Sequence, residues 1–392
     1  MYHPPMQELL WLLLPIAAAS GWIAARRSVA RPRDCRPGER SPAYFRGLNY
    51  LLNEQPDKAI DVFVQMLEVD SETVETHLAL GSLFRRRGEV ERAIRIHQNL
   101  IARPSLSREE RAQALLELGQ DYMRAGLFDR AENLFVELRE TRLFPEQALQ
   151  SLRVIYQQEK DWERCLEVAE ALESVTREPL GLERAHYYCE LAEQARAARD
   201  LPHAEALLKK AQAASRDLVR VTWLQAEVEM ERGDDRSAVR LFQRVADQDP
   251  ELFGEVLPQL SACHQRLGQR HELFSFLERL LAKRPDTAVL LALTDFVQED
   301  DGDAAALRYV AEHLGPRPSL AGLLRMIRLA EASPQATTPE LLPNLRMVAE
   351  RLIERRHAYQ CAKCGFAAKT LHWQCPGCRS WSSIKPVRDR DG

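Results

Sequence analysis

The sequence lacks the motifs that carry most small-molecule chemistry. It has no Walker A loop, no G-x-S-x-G elbow, no H-E-x-x-H pair and no glycine fingerprint for a dinucleotide. That removes phosphate-loop, serine-hydrolase, zinc-protease and nucleotide-redox readings. Glycine is scarce, 17 of 392 residues, while Ala, Leu, Glu and Arg abound, a balance that favours helix. A large charge imbalance is missing too: 54 Lys and Arg stand against 58 Asp and Glu, a net −4, which gives no ground for general nucleic-acid binding. No disulfide framework appears either. Cys35, Cys165, Cys189 and Cys263 are scattered singly and read as ordinary thiols, mostly buried, in a reducing compartment. What is there, 45% apolar and 29% charged residues, fits a folded body of two or three domains or one elongated repeat domain.

Residues 9–25, "LLWLLLPIAAASGWIAA", carry no charge. As a helix they would span roughly 26 Å, the short end of a bilayer crossing. Pro15 is tolerated in such a helix, and Trp11 and Trp22 lie near its ends, where indole favours the interface. A cleaved signal would carry its positive charge first. Here only Glu8 precedes the stretch, and Arg26, Arg27, Arg31, Arg33 and Arg36 follow it. The positive-inside rule then predicts an uncleaved anchor with the rest of the chain in the cytoplasm. The prolines and arginines up to residue 42 make a short linker that also suits anionic headgroups.

Between residues 40 and 320 the chain repeats itself. Gly47, Gly81, Gly119, Ala192 and Ala226 each precede an alanine by twelve residues: Ala59, Ala93, Ala131, Ala204 and Ala238. Gly47 to Gly81 is 34 residues, as is Ala192 to Ala226. Tyr50, Phe84 and Tyr122 stand three after the first small residue, and Phe63, Phe135 and Phe242 four after the second. This is the tetratricopeptide pattern of two antiparallel helices per unit. Small residues mark the close approach of the two helices, and aromatics fill the space between neighbouring units. About seven to eight units follow from the 34-residue period, then helices to about Arg356 in no assignable register, with a loop at residues 332–340. Such units stack into an α-solenoid whose first helices line a concave, partner-binding groove. Arg85, Arg86 and Arg124 fall where they would face that groove. Lone histidines such as His77, His97 and His186 read as packing or surface.

The tail holds Cys361-x2-Cys364 and Cys375-x2-Cys378, ten residues apart. Two residues between thiols let both sulfurs of one turn point at one ion, and two such turns complete a tetrahedral site. Gly365 and Gly377 are positioned to supply the positive φ of tight knuckles. The donor set suits one zinc or one iron. With four thiolates in place no open coordination site is left for hydrolytic chemistry. His372 is the nearest other candidate ligand and reads as a surface residue. The last 42 residues carry nine Lys and Arg against three Asp and Glu, while the rest of the chain has 45 against 55. Trp373 and Trp381 invite base stacking, yet a small ribbon needs aromatics for its own core. The charge complementarity favours docking of the ribbon on the acidic body. Electron transfer through a one-electron iron site and RNA binding by the ribbon stand as the alternatives to a scaffold.

The order of anchor, repeats and ribbon, with "LLLPIAAASGW" before "RRS", "GSLFRRRGEVERAIRIHQNLI", "LGQDYMRAGLFDRAENLF", "AHYYCELA" and "CAKCGF…LHWQCPGCRSWSSIKPVR", resembles the lipopolysaccharide assembly protein B (LapB) family of Gram-negative bacteria. Residues 1–5 depart from it as an extension, and residues 290–350 fit the repeat pattern poorly. The resemblance implies a non-enzymatic adaptor on the cytoplasmic face of the inner membrane. It implies a rubredoxin-like domain packed on the repeats, with Cys361, Cys364, Cys375 and Cys378 as ligands of iron or zinc. The implied partners are the membrane AAA protease FtsH and its client LpxC, the deacetylase that commits precursor to lipid A; nucleic acid is not expected, and a homo-oligomer is left open. The expected organisation is all-α: an N-terminal extension at 1–8, a transmembrane helix at 9–25, a basic linker at 26–42, a tetratricopeptide-repeat domain at 43–356 and a rubredoxin-like ribbon at 357–392.

Overall fold

The structure, a computed structural model, describes residues 42–53, 55–69, 74–314, 319–332, 346, 350 and 357–387. The expected anchor at 9–25, Cys35 and most of the 332–340 loop lie outside the described residues. No helix among the described residues is long and apolar enough to cross a membrane. The chain divides into two compact units that meet in sequence at Phe144 and Pro145.

In the first unit, helices pair in tandem: Pro42–Leu52 with Pro56–Val69, Val74–Arg87 with Val90–Ile101, and Arg108–Ala125 with Phe128–Thr141. The small residues do what the period implies. A Cβ on Gly47 would stand 2.6 Å from the Phe63 ring, and one on Gly119 would stand 2.6 Å from the Phe135 ring. Both rings are fully buried, each contributing about 2–3 kcal/mol through apolar burial. In the middle pair the partner of Gly81 is a histidine ring, His97, where its neighbours place phenylalanine.

The second unit continues with Pro145–Glu159 and Trp162–Thr176, Gly181–Ala197 and Leu201–Ala214, Val219–Glu231 and Asp235–Gln248, Phe253–Leu267 and Arg270–Lys283. The segment whose register the sequence left unassigned forms a further pair, Thr287–Asp301 and Asp303–Leu314, followed by Leu320–Ala332. It was illegible because Val297 and Val310 stand where the regular units place an aromatic, three after Thr294 and four after Ala306; Leu290, Ala306, Val310 and Leu314 form its core, with Tyr309 packed against them.

Six of the turns inside the pairs share one device. Gly88, Gly126, Gly233 and Gly268 adopt φ of 67–87°, and Lys160 and Arg199 adopt φ of 58° and 62° at the same place. Glycine enters that region without steric cost, whereas another residue spends about 1–2 kcal/mol. After Lys160, Arg199 and Gly233 comes an aspartate, Asp161, Asp200 or Asp234, whose side chain accepts the N–H of Arg164, His203 or Ser237. An N-cap of this kind contributes about 1 kcal/mol, enough to offset the strained residue before it.

The second unit ends in the ribbon. Strand Tyr359–Cys361 lies centrally, antiparallel to Ala367–Ala368 and to Ile384–Pro386, with Cys361 opposite Ile384. Its own core is small: Tyr359, Cys361, Ala368, Cys375 and Ile384.

Candidate metal centre and its helical seat

Each cysteine pair sits in a tight turn. In the first, the Gly365 N–H donates to the Cys361 carbonyl at 2.9 Å and the Cys361 N–H to the Phe366 carbonyl at 2.8 Å. Gly365 supplies the expected positive φ, 74°. In the second, the Arg379 N–H donates to the Cys375 carbonyl at 2.8 Å and the Cys375 N–H to the Ser380 carbonyl at 2.9 Å. Here the left-handed residue is Arg379, φ 56°, and not Gly377. The turn closes one residue beyond the second cysteine, so the positive φ falls outside the C-P-G-C span.

The four sulfurs lie within 4.8 Å of one another. Cys361 and Cys378 are 3.7 Å apart, as are Cys364 and Cys375. Tetrahedral metal–sulfur bonds of about 2.3 Å place sulfurs about 3.8 Å apart, so the residues present fit one zinc or iron. The surroundings favour the thiolate at Cys361 and Cys378. The Ser383 hydroxyl, 3.3 Å from Cys361 Sγ, and the N–H groups of Cys364 and Lys363 push the Cys361 thiol down to about 6. The Ser380 hydroxyl and N–H lower Cys378. Against the pull of the Phe366 N–H, burial and the neighbouring thiols push Cys364 up to about 12. Four negative sulfurs crowded this closely need a cation among them. By contrast, burial pushes Cys165 and Cys189 up to about 12 and Cys263 up to about 11, leaving them inert protonated thiols. His372 has its imidazole 3.2 Å from the Thr370 hydroxyl, and the sulfur cluster does not include it.

The second knuckle is flanked by Trp373 and Trp381, and both point at the helices. Trp381 stacks on His186, with centroids 4.6 Å apart, and meets the edges of Trp162 and Tyr187 at 6.2 and 5.9 Å. Trp373 meets Trp223 edge-on at 5.8 Å and lies under the Arg220 guanidinium, 5.4 Å from its centroid. Aromatic pairs of this kind contribute about 0.5–1.5 kcal/mol each beyond their area. A desolvated cation over a ring contributes about 2 kcal/mol.

Arg220 is 1% exposed. Its Nη2 donates to Glu190 at 2.8 Å and Glu193 at 2.9 Å, and its Nη1 stands 3.4 Å from His186 Nδ1. A guanidinium only donates, so Nδ1 is the acceptor and the imidazole proton sits on Nε2. That nitrogen donates to the Ser382 hydroxyl at 2.8 Å. Burial, and then the nearby Arg220 charge, push His186 down to about 3, so it is a neutral ring within the seat. At the rim, the Tyr359 hydroxyl donates to Glu255 at 2.7 Å and Lys385 pairs with Asp249.

The ribbon therefore docks on the helices, as its charge suggested, but by a different means. Aromatic rings and one buried arginine of the helical body hold the centre, and among the described residues only Lys385 supplies a ribbon cation to an acidic partner there. The tryptophans serve the seat rather than the ribbon's own core. The reading of His186 as packing or surface missed its place in the seat, and Arg220 drew no notice, because an isolated histidine or arginine on a repeat helix carries no other signal. Arg85, Arg86 and Arg124 come together in the first unit, lining a cavity of about 460 Å³ with Gln120 and Met123.

Residues 359–386 match the rubredoxin metal binding domain family, and residues 76–112 match the tetratricopeptide repeat family. Over 389 residues the chain is 43% identical to lipopolysaccharide assembly protein B of Escherichia coli (strain K12), covering 99% of this chain and 100% of that one. It is 38% identical over 397 residues to the Haemophilus influenzae protein of the same name, covering 98% and 100%. Among solved structures, Naa15/Naa10 bound to HypK-THB is 15% identical, with a TM-score of 0.44, over 80% of this chain and 52% of that one.

Proposed function

The chain belongs to the lipopolysaccharide assembly protein B family, and from that premise we propose that it is an inner-membrane adaptor limiting lipopolysaccharide synthesis. In this reading residues 9–25 anchor it, the repeats lie in the cytoplasm, and the protein promotes proteolysis of the deacetylase LpxC by the AAA protease FtsH. The observation that carries the reading is the match along the whole chain, from the apolar N-terminus to the ribbon. The docked four-cysteine ribbon supports it: a site with four thiolate ligands leaves no coordination position open for hydrolytic turnover and suits a structural brace. Bound metal would tie the two knuckles together, and this chain's own part is to present tandem helix faces to protein partners. The anchor raises the local concentration of the adaptor beside a membrane protease, so modest affinities suffice.

The test is the decay of the deacetylase after protein synthesis is stopped, in cells carrying the full chain or the chain without residues 1–26. Slow decay in the absence of the full chain, and slow decay again with the anchorless form, is the expected result. Unchanged decay in cells with no copy of the protein would sink the adaptor reading; normal decay with the anchorless form would sink the membrane requirement alone.

A further inference from the structure

The four sulfurs of the ribbon are not equally protected. Cys361 and Cys375 are buried, 2% and 0% exposed, whereas Cys364 and Cys378, the last cysteine of each knuckle, lie at the surface. Cys364 Sγ stands 3.7 Å from the buried Cys375 Sγ of the opposite knuckle. The thiols of the helical body, Cys165, Cys189 and Cys263, are fully buried. Gly377 widens the difference. The backbone does not need glycine there, because the positive φ of this turn falls on Arg379. A Cβ at Gly377 would meet Cys364 Sγ and the Phe366 side chain at 3.5 Å, ordinary contact distances. A side chain would therefore fit, and it would cover the Cys364 sulfur. Glycine leaves that sulfur open to small molecules.

We infer that Cys364 is a modification site for small peroxides, hydrogen peroxide or an organic hydroperoxide, with Cys375 as its resolving thiol, and that its oxidation undocks the ribbon. Sulfurs held on a cation are thiolates outright. The Cys364 thiolate attacks one oxygen of hydrogen peroxide; the O–O bond breaks, a sulfenic acid forms and hydroxide leaves. The Cys375 thiolate then attacks the sulfenic sulfur. An S–S bond forms, the S–O bond breaks and a second hydroxide leaves. The two thiolates have supplied two electrons, and the peroxide has become two hydroxides. Two thiolates remain of four, too few to hold a tetrahedral cation. The S–S distance also contracts from 3.7 Å to about 2.05 Å, drawing on the loop that carries Trp373 and Trp381. That loop is the centre of the seat. Undocking uncovers a face on four successive first helices, at Gln157, His186, Trp223 and Glu255, so oxidant controls access to the repeat surface of the second unit.

The test uses the full chain, purified with its metal in detergent micelles. A Cys35→Ser background removes the one thiol outside the described residues. Hydrogen peroxide should release the metal in step with a loss of two hydrogens from the intact mass, and peptide mapping should find Cys364 joined to Cys375. The tryptophan emission should shift to the red, protease should cut the ribbon, and dithiothreitol with added metal ion should reverse both changes. Gly377→Leu places a side chain over Cys364 Sγ without altering a ligand. It should keep the metal content, helical circular dichroism and tryptophan emission of the parent and slow metal release at least about threefold, since reactivity follows access to the thiolate. Gly377→Ala, whose methyl fits by the distances above, should slow it less, and it decides the matter if leucine disturbs the turn. Four results each overturn the assignment: metal retained under peroxide, a disulfide that omits Cys364, glycine variants that react as fast as the parent, or a disulfide-bearing ribbon that stays docked and protease-resistant.

Discussion

Trp381 of the ribbon lies over His186 of the helix Gly181–Ala197, the ring centroids 4.6 Å apart and the planes 18° from parallel. The contact requires a neutral imidazole, because Arg220 stands on its other nitrogen. From that follows a pH dependence. His186 is depressed from 6.5 to about 3 by burial and by Arg220. Below pH 6.5 the unfolded chain takes up a proton that the docked chain refuses, so stability is full above that pH and is lost as pH falls toward 3. The loss approaches about 1.4 kcal/mol per pH unit for one such group. Urea melts followed by tryptophan fluorescence between pH 6.5 and 5.0 should show it. His186→Phe, which keeps a ring under Trp381, should remove about one proton from the slope; an identical slope in both proteins would rule out His186 as its source.

Metal removal should release the seat without unfolding the repeats. The loop from Trp373 to Ser382 carries Cys375 and Cys378 and also supplies the ribbon's ring contacts with Trp162, His186, Tyr187 and Trp223. In so small a ribbon the metal-binding energy is folding energy. Chelation, or Cys375→Ser, should leave helical circular dichroism nearly unchanged, shift the tryptophan emission to the red and open the ribbon to protease. A ribbon that stays protease-resistant without metal would show that docking alone holds it.

Arg220 offers a sharper test of the seat. It is buried between Glu190 and Glu193, which are 25% and 39% exposed. Removing one partner of a buried pair costs about 3–5 kcal/mol; the partial exposure of both glutamates reduces this to about 2 kcal/mol. Arg220→Met should therefore destabilise the second unit by about that amount, and Arg220→Lys by less, since lysine keeps the charge but loses the planar fork. Denaturant titration measures both. A methionine variant as stable as the parent would mean that Trp373 needs no cation over its face.

The repeat pattern was legible because its determinants are local. A small residue, an aromatic sixteen positions on and a turn between them, as in Gly47 with Phe63 and Gly119 with Phe135, record the crossing of two adjacent helices. The metal ligands were legible for the same reason, since two residues between thiols define a turn. The seat was not. His186 meets Ser382 across 196 residues of chain, and Gln157 meets Gln374 across 217, separations at which no spacing rule operates. Charge gave the right outcome for docking with the wrong contacts, because net charge cannot tell Lys385 on Asp249 from Arg220 buried under Trp373. The His97 exception was present in the sequence, as the one polar side chain four residues after Ala93 where Phe63, Phe135 and Phe242 stand in other repeats. It became meaningful only when the structure put Asp121 and Arg85 behind it.

That exception supports a last prediction. His97 and Asp121 are both fully buried, and the regular repeats place Phe at the position of His97 and, in one case, Leu83 at the position of Asp121. Gly81 leaves room for a phenylalanine, as Gly47 and Gly119 do for Phe63 and Phe135. Changing Asp121→Ala alone leaves His97 Nδ1 without its partner and Arg85 with Glu117 only, and should cost about 3 kcal/mol, the lower end for breaking a buried pair. Changing His97→Phe together with Asp121→Leu removes both desolvated groups and fills the space, and Arg85 keeps Glu117 at 2.6 Å. The double variant should be as stable as the parent or more stable by about 1–3 kcal/mol. Thermal and urea unfolding of the three proteins decide the matter. If the double variant proves as unstable as Asp121→Ala, the polar pair is a packing necessity of this repeat.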